Sequence, residues 1–258
     1  MNVYDTMAQD FERHRTLPDG VPAAIREAIL SATQSLRPRI LDLGAGSGRI
    51  GRAFVQAGDD YTGADLSFGM LRSFAGYTPS PSLTQADGAR LPFPDATFDA
   101  VLLIQVLSGA SGWRPLLADA IRVLRPTGTL IVGRVAAPVD GIDAQMKSRL
   151  AAILDSMDIH PYRDKLWDDA LSWLAQVMPN PTVLTPAAWS ANLTPATFLE
   201  RHRGGARFSV LDEPVKHEAM HRLAAWAAEE FGSLDTAWPE QHRFKLIIHR
   251  LQQQRSTL

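Results

Sequence analysis

The feature that most restricts what this chain can become is RILDLGAGSGR (Arg39–Arg49), a short apolar run that ends in glycines at 44, 46 and 48. An apolar run of this length before glycines reads as a strand buried on both faces. Glycine tolerates positive φ and lets backbone approach a bound group closely. The next segment, Ile50–Ala57, reads as a helix ending at Gly58. A strand, a glycine loop and a helix in this order open a doubly wound α/β sheet, in which ligands sit outside the carboxyl ends of the strands.

The pattern continues in that style. Ile25–Leu36 has helical spacing closed by Pro38, Asp59–Leu66 and Ser82–Ala86 read as short strands, and Phe68–Phe74 as a short helix. FDAVLLIQVL (Phe98–Leu107) is apolar on both faces, as a central parallel strand is. Trp113–Leu124 is an amphipathic helix and Thr127–Val135 a fifth strand. After Val135 the alternation stops. Ile142–Met157 and Asp164–Met178 look helical with no strand between them, so Asp140–Asn180 is expected as an inserted helical cap over the sheet. Pro181–Thr194 holds a strand, Pro195–Arg203 a short helix, His217–Phe231 an amphipathic helix, and His242–Leu251 a last, edge-type strand.

Composition bounds the rest. The 258 residues, 45% of them apolar, suffice for one core. One domain over 1–258 is expected, divided into 1–37 (N-terminal lead and helix), 38–135 (core), 140–180 (cap) and 181–258 (remaining strands and helices). A net charge of −2 argues against a nucleic-acid partner. No cysteine is present, which removes disulfides, thiol nucleophiles and cysteine-bound metals, and agrees with a reducing cytoplasm. The N-terminus lacks a secretory apolar run and no stretch of eighteen apolar residues occurs, so a cytoplasmic protein off the membrane is expected, as monomer or homodimer.

Three features fall at the ends of successive strands. The Gly44–Ala45–Gly46 loop follows the first. Asp65 ends the second, where a carboxylate accepts from ribose hydroxyls. Asp87, with Gly88 and Ala89, follows the third, where a carboxylate and adjacent amides read an adenine edge. The bland alternative is a glycine turn and surface aspartates. A nicotinamide dinucleotide site is a sharper competitor, because Gly46–Gly51 spells G-x-G-x-x-G. Its frame is wrong: counting from Gly44 puts Arg49 where the third glycine belongs, and counting from Gly46 leaves two extra residues after the strand.

In order, ILDLGAGSGRIG, GADLSFGML, QADGARLPFPDATFDAVLLIQVL and IRVLRPTGTLIVG resemble the successive motifs of class I S-adenosylmethionine-dependent methyltransferases, and LPFPDATFD is closest to the small-molecule type 11 group. The resemblance implies a Rossmann-like seven-stranded, mostly parallel sheet with an antiparallel last strand, and S-adenosyl-L-methionine as cofactor. It implies that Gly44 and Gly46 pack against the methionyl and ribose parts, and that Asp42 anchors the loop or the methionyl amine. It sets Leu66 and Met70 beside the adenine, and Gln105 against the methionyl group, facing substrate. YDTMAQDFERHR resembles a lid, with Tyr4 and Phe11 covering the methionyl end and Arg15 pairing with its carboxylate; an ordinary amphipathic helix is the alternative. Relatives often carry a histidine or acid just after the fourth strand, where this chain reads QVLSGASGW, so no base is assigned.

Methyl transfer from a sulfonium is an in-line displacement whose leaving group carries its own activation, so the protein mainly orients and excludes water. A small-molecule oxygen or nitrogen acceptor is expected. Candidate bases are His14, His160 and His202, with His160 preferred for its bend between the two cap helices; all three are ordinary surface or structural histidines on the bland reading. Trp113, Trp167, Trp173 and Trp189 either line an acceptor pocket or pack the cap, and packing is favoured for most. HEAMH (His217–His221) matches the H-E-x-x-H zinc pattern. Its histidines flank an apolar stripe and no third-ligand signature follows, so no metal is expected and zinc hydrolysis stays a remote alternative. The nearer alternative is a protein of this fold that binds the cofactor without methylating.

Overall fold

A computed structural model describes residues 17–110, 112–160, 166–203 and 211–251. Seven strands form one sheet in the order β3-β2-β1-β4-β5-β7-β6. They are β1 (Ile40–Leu43), β2 (Tyr61–Asp65), β3 (Ser82–Gln85), β4 (Phe98–Ile104), β5 (Leu124–Ala136), β6 (Thr182–Leu193) and β7 (Trp238–Arg250). Strands β1 to β5 pair in parallel, and β7 runs antiparallel to both β5 and β6. The doubly wound, mostly parallel sheet anticipated from the sequence is the observed one. One detail is corrected: the C-terminal strand is interior, and β6 takes the edge beside it.

Helices cover both faces, which is why β1 is buried throughout and β4 at every position but Asp99. On one face lie α1 (Val21–Ala32), α2 (Gly51–Ala57) and α3 (Phe68–Tyr77), whose Ile25, Ile29, Phe54 and Phe74 pack on Ile40, Leu102, Ile131 and Phe244. α1 begins four residues earlier than its spacing suggested, because Pro22 in its first turn follows the left-handed Gly20. Arg250, at the amino edge of the sheet beside Thr129, donates to the Ala32 carbonyl at 3.3 Å. α1 therefore starts at the carboxyl edge. On the other face α4 (Trp113–Arg122) and α6 (Leu166–Val177) cover Leu41, Leu43, Val101 and Leu130.

The two helices anticipated as one cap part company. α6 is an ordinary layer helix, with Trp167, Ala170 and Leu174 in the second face's core. α5 (Ile142–Ser156) instead joins α7 (Pro195–Arg203) and α8 (Glu213–Phe231) around a separate core of Met146, Leu150, Phe198, Met220 and Leu223. This third core thus draws on two stretches, one after β5 and one between β6 and β7. Trp113 and Trp167 are core residues, Trp173 meets Trp113 edge-on at 6.0 Å, and only Trp189 stands elsewhere, on β6. Among the described residues no helix is long and apolar enough to cross a membrane.

Candidate active site

The carboxyl ends of β1, β2, β3 and β4 meet along one edge. Gly44, Gly46 and Gly48 all have positive φ (84°, 56° and 85°), the region that L side chains rarely adopt. The loop hangs from β2, since the Gly44 and Ala45 amides both donate to the Ala64 carbonyl, at 2.8 and 3.1 Å. A Cβ on Gly44 would lie 2.4 Å from the Val106 side chain, whereas space at Gly46 is open. The loop therefore rests on the segment after β4 and leaves its outer side to a ligand.

Asp65 holds this shape. One carboxylate oxygen accepts from the Gly46 amide and the other from the Ser67 amide, both at 2.8 Å. Ser67 then caps α3, its hydroxyl accepting from the Met70 amide at 3.2 Å. Asp87 is exposed, and its Oδ1 accepts from the Ala89 amide at 2.9 Å, while Gly88 lies against Leu43 and Leu116. Leu66 is 57% exposed and presents apolar surface at this edge; Met70 is buried, so its side chain serves the core.

Asp42 is buried at the end of β1, and its Oδ2 accepts the Tyr61 hydroxyl at 2.8 Å. It does not bond the glycine loop; Asp65 does that. Its Oδ1 is buried without a partner. Burial pushes the Asp42 carboxyl up to about 7, against the Tyr61 hydrogen bond that lowers it, with nearby Asp65 adding to the rise. Gly51 permits this arrangement, because a Cβ there would meet the Tyr61 oxygen at 2.1 Å.

Gln105, just past β4, has φ 60°, a strained value for a residue with a side chain, and its amide is tied to the Gly133 carbonyl at 2.7 Å. Its side-chain oxygen accepts from the Arg49 guanidinium. Arg49 and Tyr61 are the residues that reading the sequence missed here. Arg49's only signal was that it broke the dinucleotide motif, and Tyr61 looked like any apolar strand residue.

The remaining candidates lie apart. Tyr4, Phe11, His14 and Arg15 fall outside the described residues. His160 is 59% exposed, with Asp155 and Asp158 at 3.1 and 3.4 Å. It is separated from the carboxyl end of β5 by the whole of α5, about 22 Å of helix. His202 stacks on Phe198, with ring centres 3.7 Å apart, and burial pushes its imidazole down to about 4, aided by neighbouring Arg201. In the cap, Asp143 pairs with Arg201 and Lys147 beside a cavity of about 200 Å³, away from the glycine loop. His217 and His221 are exposed, and Glu218 is held by Arg222 at 2.6 Å. No group of three or more possible ligands gathers among the described residues.

Residues 41–132 match the family model of a methyltransferase domain. Over these residues the chain is similar to methyltransferase domains. Over 103 residues it is 34% identical to a demethylmenaquinone methyltransferase of Renibacterium salmoninarum, covering 40% of this chain and 44% of that one. A protein of the same name from Beutenbergia cavernae is 32% identical over 139 residues, covering 53% and 58%. The chain spans about half the length of the curated relatives it matches. The methyltransferase fold extends further than the sequence likeness. A putative type II methyltransferase from Anaeromyxobacter dehalogenans superposes with a TM-score of 0.61 at 16% identity, covering 88% of this chain and 95% of that one.

Proposed function

We propose that this protein is an S-adenosyl-L-methionine-dependent methyltransferase acting on a small molecule. The observation that carries the reading is the row of carboxylates, Asp42, Asp65 and Asp87, at the ends of β1, β2 and β3 beside a glycine loop with an open outer side. The residues present fit the cofactor. The buried, unpartnered Asp42 Oδ1 suits a donor such as the methionyl ammonium, Asp65 suits the two ribose hydroxyls, and Asp87 with the Gly88 and Ala89 amides suits the adenine edge. Leu66 supplies apolar contact for the base, and Gln105, braced by Arg49, faces the methionyl end.

The bound sulfonium supplies an activated methyl group for in-line displacement, so the chain's task is orientation. The strand ends fix one partner in place, and the cap of α5, α7 and α8 shelters the acceptor's side from water. A lid role for Tyr4 and Arg15 rests on the resemblance of their segment. The cysteine-free composition and the net charge of −2 support a cytoplasmic enzyme with a small-molecule, not a nucleic-acid, partner. Transfer of label from methyl-labelled S-adenosylmethionine to a mixed panel of phenols, hydroxy acids and amines tests the activity, and calorimetry tests cofactor binding. Absence of cofactor binding would refute the reading.

A further inference from the structure

The cavity of about 200 Å³ in the cap is built where β6 ends and two helices begin. Ile104, just before Gln105, pairs with Gly133, and Gly133 with Leu246 of β7. Leu193, at the end of β6, pairs with Trp238, eight residues further along β7, about 26 Å of strand. α5 reaches the same place because Gly141, its N-cap, lies against Glu240 of β7, where a Cβ would meet the Glu240 Oε1 at 2.5 Å. Glu240 is 5% exposed, its Oε2 lies 3.1 Å from His242 Nε2, and His242 meets Trp189 of β6 with ring centres 5.8 Å apart. The first turn of α5 and that of α7, which follows β6 directly, both border the cavity, whose wall includes Ile142, Asp143, Leu193, Thr194, Phe198 and Arg201.

One group on this wall has hydrogen bonds to spare. Asp143 does not: one oxygen accepts from Arg201 and the other pairs with Lys147 at 2.6 Å, and against the penalty of burial these two cations keep its carboxyl below the usual range. Thr194 and Thr197 are spent on capping α7, each hydroxyl accepting from the other's amide, at 3.0 and 3.1 Å. The Ala196 amide donates to the Leu234 carbonyl at 2.9 Å, so the end of α7 is satisfied too. Arg201 differs, because a guanidinium carries five N–H donors and, among the described residues, only Asp143 accepts from it. Of the three charged side chains joined here two are cations, and His202, pushed down to about 4 by burial, adds no charge near neutral pH. The amino-terminal ends of α5 and α7 add positive potential. Ile142, Leu193 and Phe198 supply apolar surface. The wall thus suits an anion and disfavours a cation.

We propose that this cavity binds a small carboxylate with an apolar body, held by the remaining Arg201 hydrogens, and that it is a second ligand site, separate from the one where a methyl group moves. A cavity of about 150 Å³ is enough for benzene, so this one admits a ring or short chain of that size with its carboxylate. A carboxylate grips a guanidinium best through two adjacent N–H groups, and the bond to Asp143 takes only one of the five. The cation that already ties α7 to α5 then carries two anions, so the ligand fastens the two helices to each other. Three strands and that length of β7 separate the cavity from Gln105. The donor edge is out of reach, and the ligand is bound without being methylated.

The test uses the full chain, with benzoate and hexanoate as probes and with benzamide and benzylamine as controls that keep the ring and lose the negative charge. Calorimetry should show both carboxylates binding, benzamide at least tenfold weaker than benzoate, and benzylamine not at all. In methyl-resolved NMR the Ile142 resonance should move with benzoate and stay in place when S-adenosylhomocysteine is added. Arg201→Gln should weaken benzoate at least tenfold. Leu193→Phe, which fills the cavity and leaves the ion pair alone, should do the same. Arg201→Lys keeps the charge and loses the fork, and should fall between Arg201→Gln and wild type. Asp65→Ala should leave benzoate within twofold. No binding of either carboxylate, benzamide binding as well as benzoate, an unmoved Ile142, or equal affinity in all variants would overturn the proposal. Displacement of benzoate by S-adenosylhomocysteine, or methyl label on benzoate, would overturn it as well. If Arg201→Gln fails to fold, Leu193→Phe decides. Benzoate binding and the Ile142 shift need no cofactor, so failure of the methyltransferase reading would leave this proposal standing.

Discussion

Replacing Asp42 with asparagine should make the free protein more stable and the cofactor bind less well. Asn keeps an oxygen for the Tyr61 hydroxyl and nearly the same volume, so packing is conserved. What it removes is a buried charge. Burial lifts the Asp42 carboxyl from 3.8 to about 7. At 1.36 kcal/mol per pH unit, the folded state gives up as much as about 4 kcal/mol when this group ionises. The sign follows from the direction of the shift. The folded pKa is the higher one, so the stabilisation is fully present below 3.8 and is lost as pH rises through about 7. Asp42→Asn should therefore match wild type near pH 4 and exceed it at pH 8 by up to about 4 kcal/mol, on the order of 10 °C in Tm for a chain of this size. Urea denaturation followed by circular dichroism at both pH values measures this. A variant less stable than wild type at pH 8, or an offset equal at the two pH values, would show that the carboxylate is not held against desolvation. In calorimetry the same substitution should weaken S-adenosylmethionine by about 1.5–3 kcal/mol, the value of a charged hydrogen bond.

Asp65→Ala removes both a ribose acceptor and the strut to the Gly46 and Ser67 amides, so cofactor affinity should fall by about 2–3 kcal/mol with some loss of Tm, and calorimetry beside thermal melts separates the two effects. Asp87→Ala, at an exposed turn, should cost the cofactor about 1 kcal/mol, and an effect equal to that of Asp65 would contradict the assignment. Gly48→Ala forces a side chain into φ 85° with its Cβ 2.4 Å from the Phe74 ring, and should destabilise by about 3 kcal/mol in urea titration, half from the backbone and half from displacing the ring. His202, pushed down to about 4 by burial, adds stability that is complete above 6.5 and disappears as pH falls towards 4. Acidification over that window should loosen the cap by about 3 kcal/mol at most, and His202→Gln should flatten the dependence in hydrogen exchange of α7.

How much of this was legible in the sequence depended on how far apart the interacting residues stand. The glycine loop, Asp65 and Asp87 belong to consecutive strand–loop–helix units, and such units deliver their strand ends to one edge whatever the rest of the chain does. Asp42 with Tyr61, and Arg49 with Gln105, are pairs 19 and 56 residues apart, and nothing in the local pattern joins them. The apolar stripe of α5 shows that it packs, but a stripe does not name its partner, and nearness in sequence points to α6 where the structure has α7 and α8. Alternation in β7 likewise marks a half-polar strand without showing which strand lies beside it. His160, set by the sequence between two helices, is a surface residue held between two aspartates.

The same distinction explains why likeness to other proteins stops where it does. The family model ends at residue 132, inside β5, and the residues beyond it build the cap, β6 and β7. The edge that carries the glycine loop, Asp65 and Asp87 is made of contiguous chain, so its residues are recognisable one by one. Beyond it Gly141 from after β5, Trp189 from β6, and Glu240 and His242 from β7 meet across a span of about a hundred residues, brought together by the antiparallel register of β7. One residue of slip there would send Glu240 and His242 to the opposite face and part them from Trp189. The interior position of β7, paired on both sides, is what prevents that slip. The antiparallel strand thus does more than close the sheet: it is the element that holds Glu240 and His242 beside Trp189 beyond the end of β5.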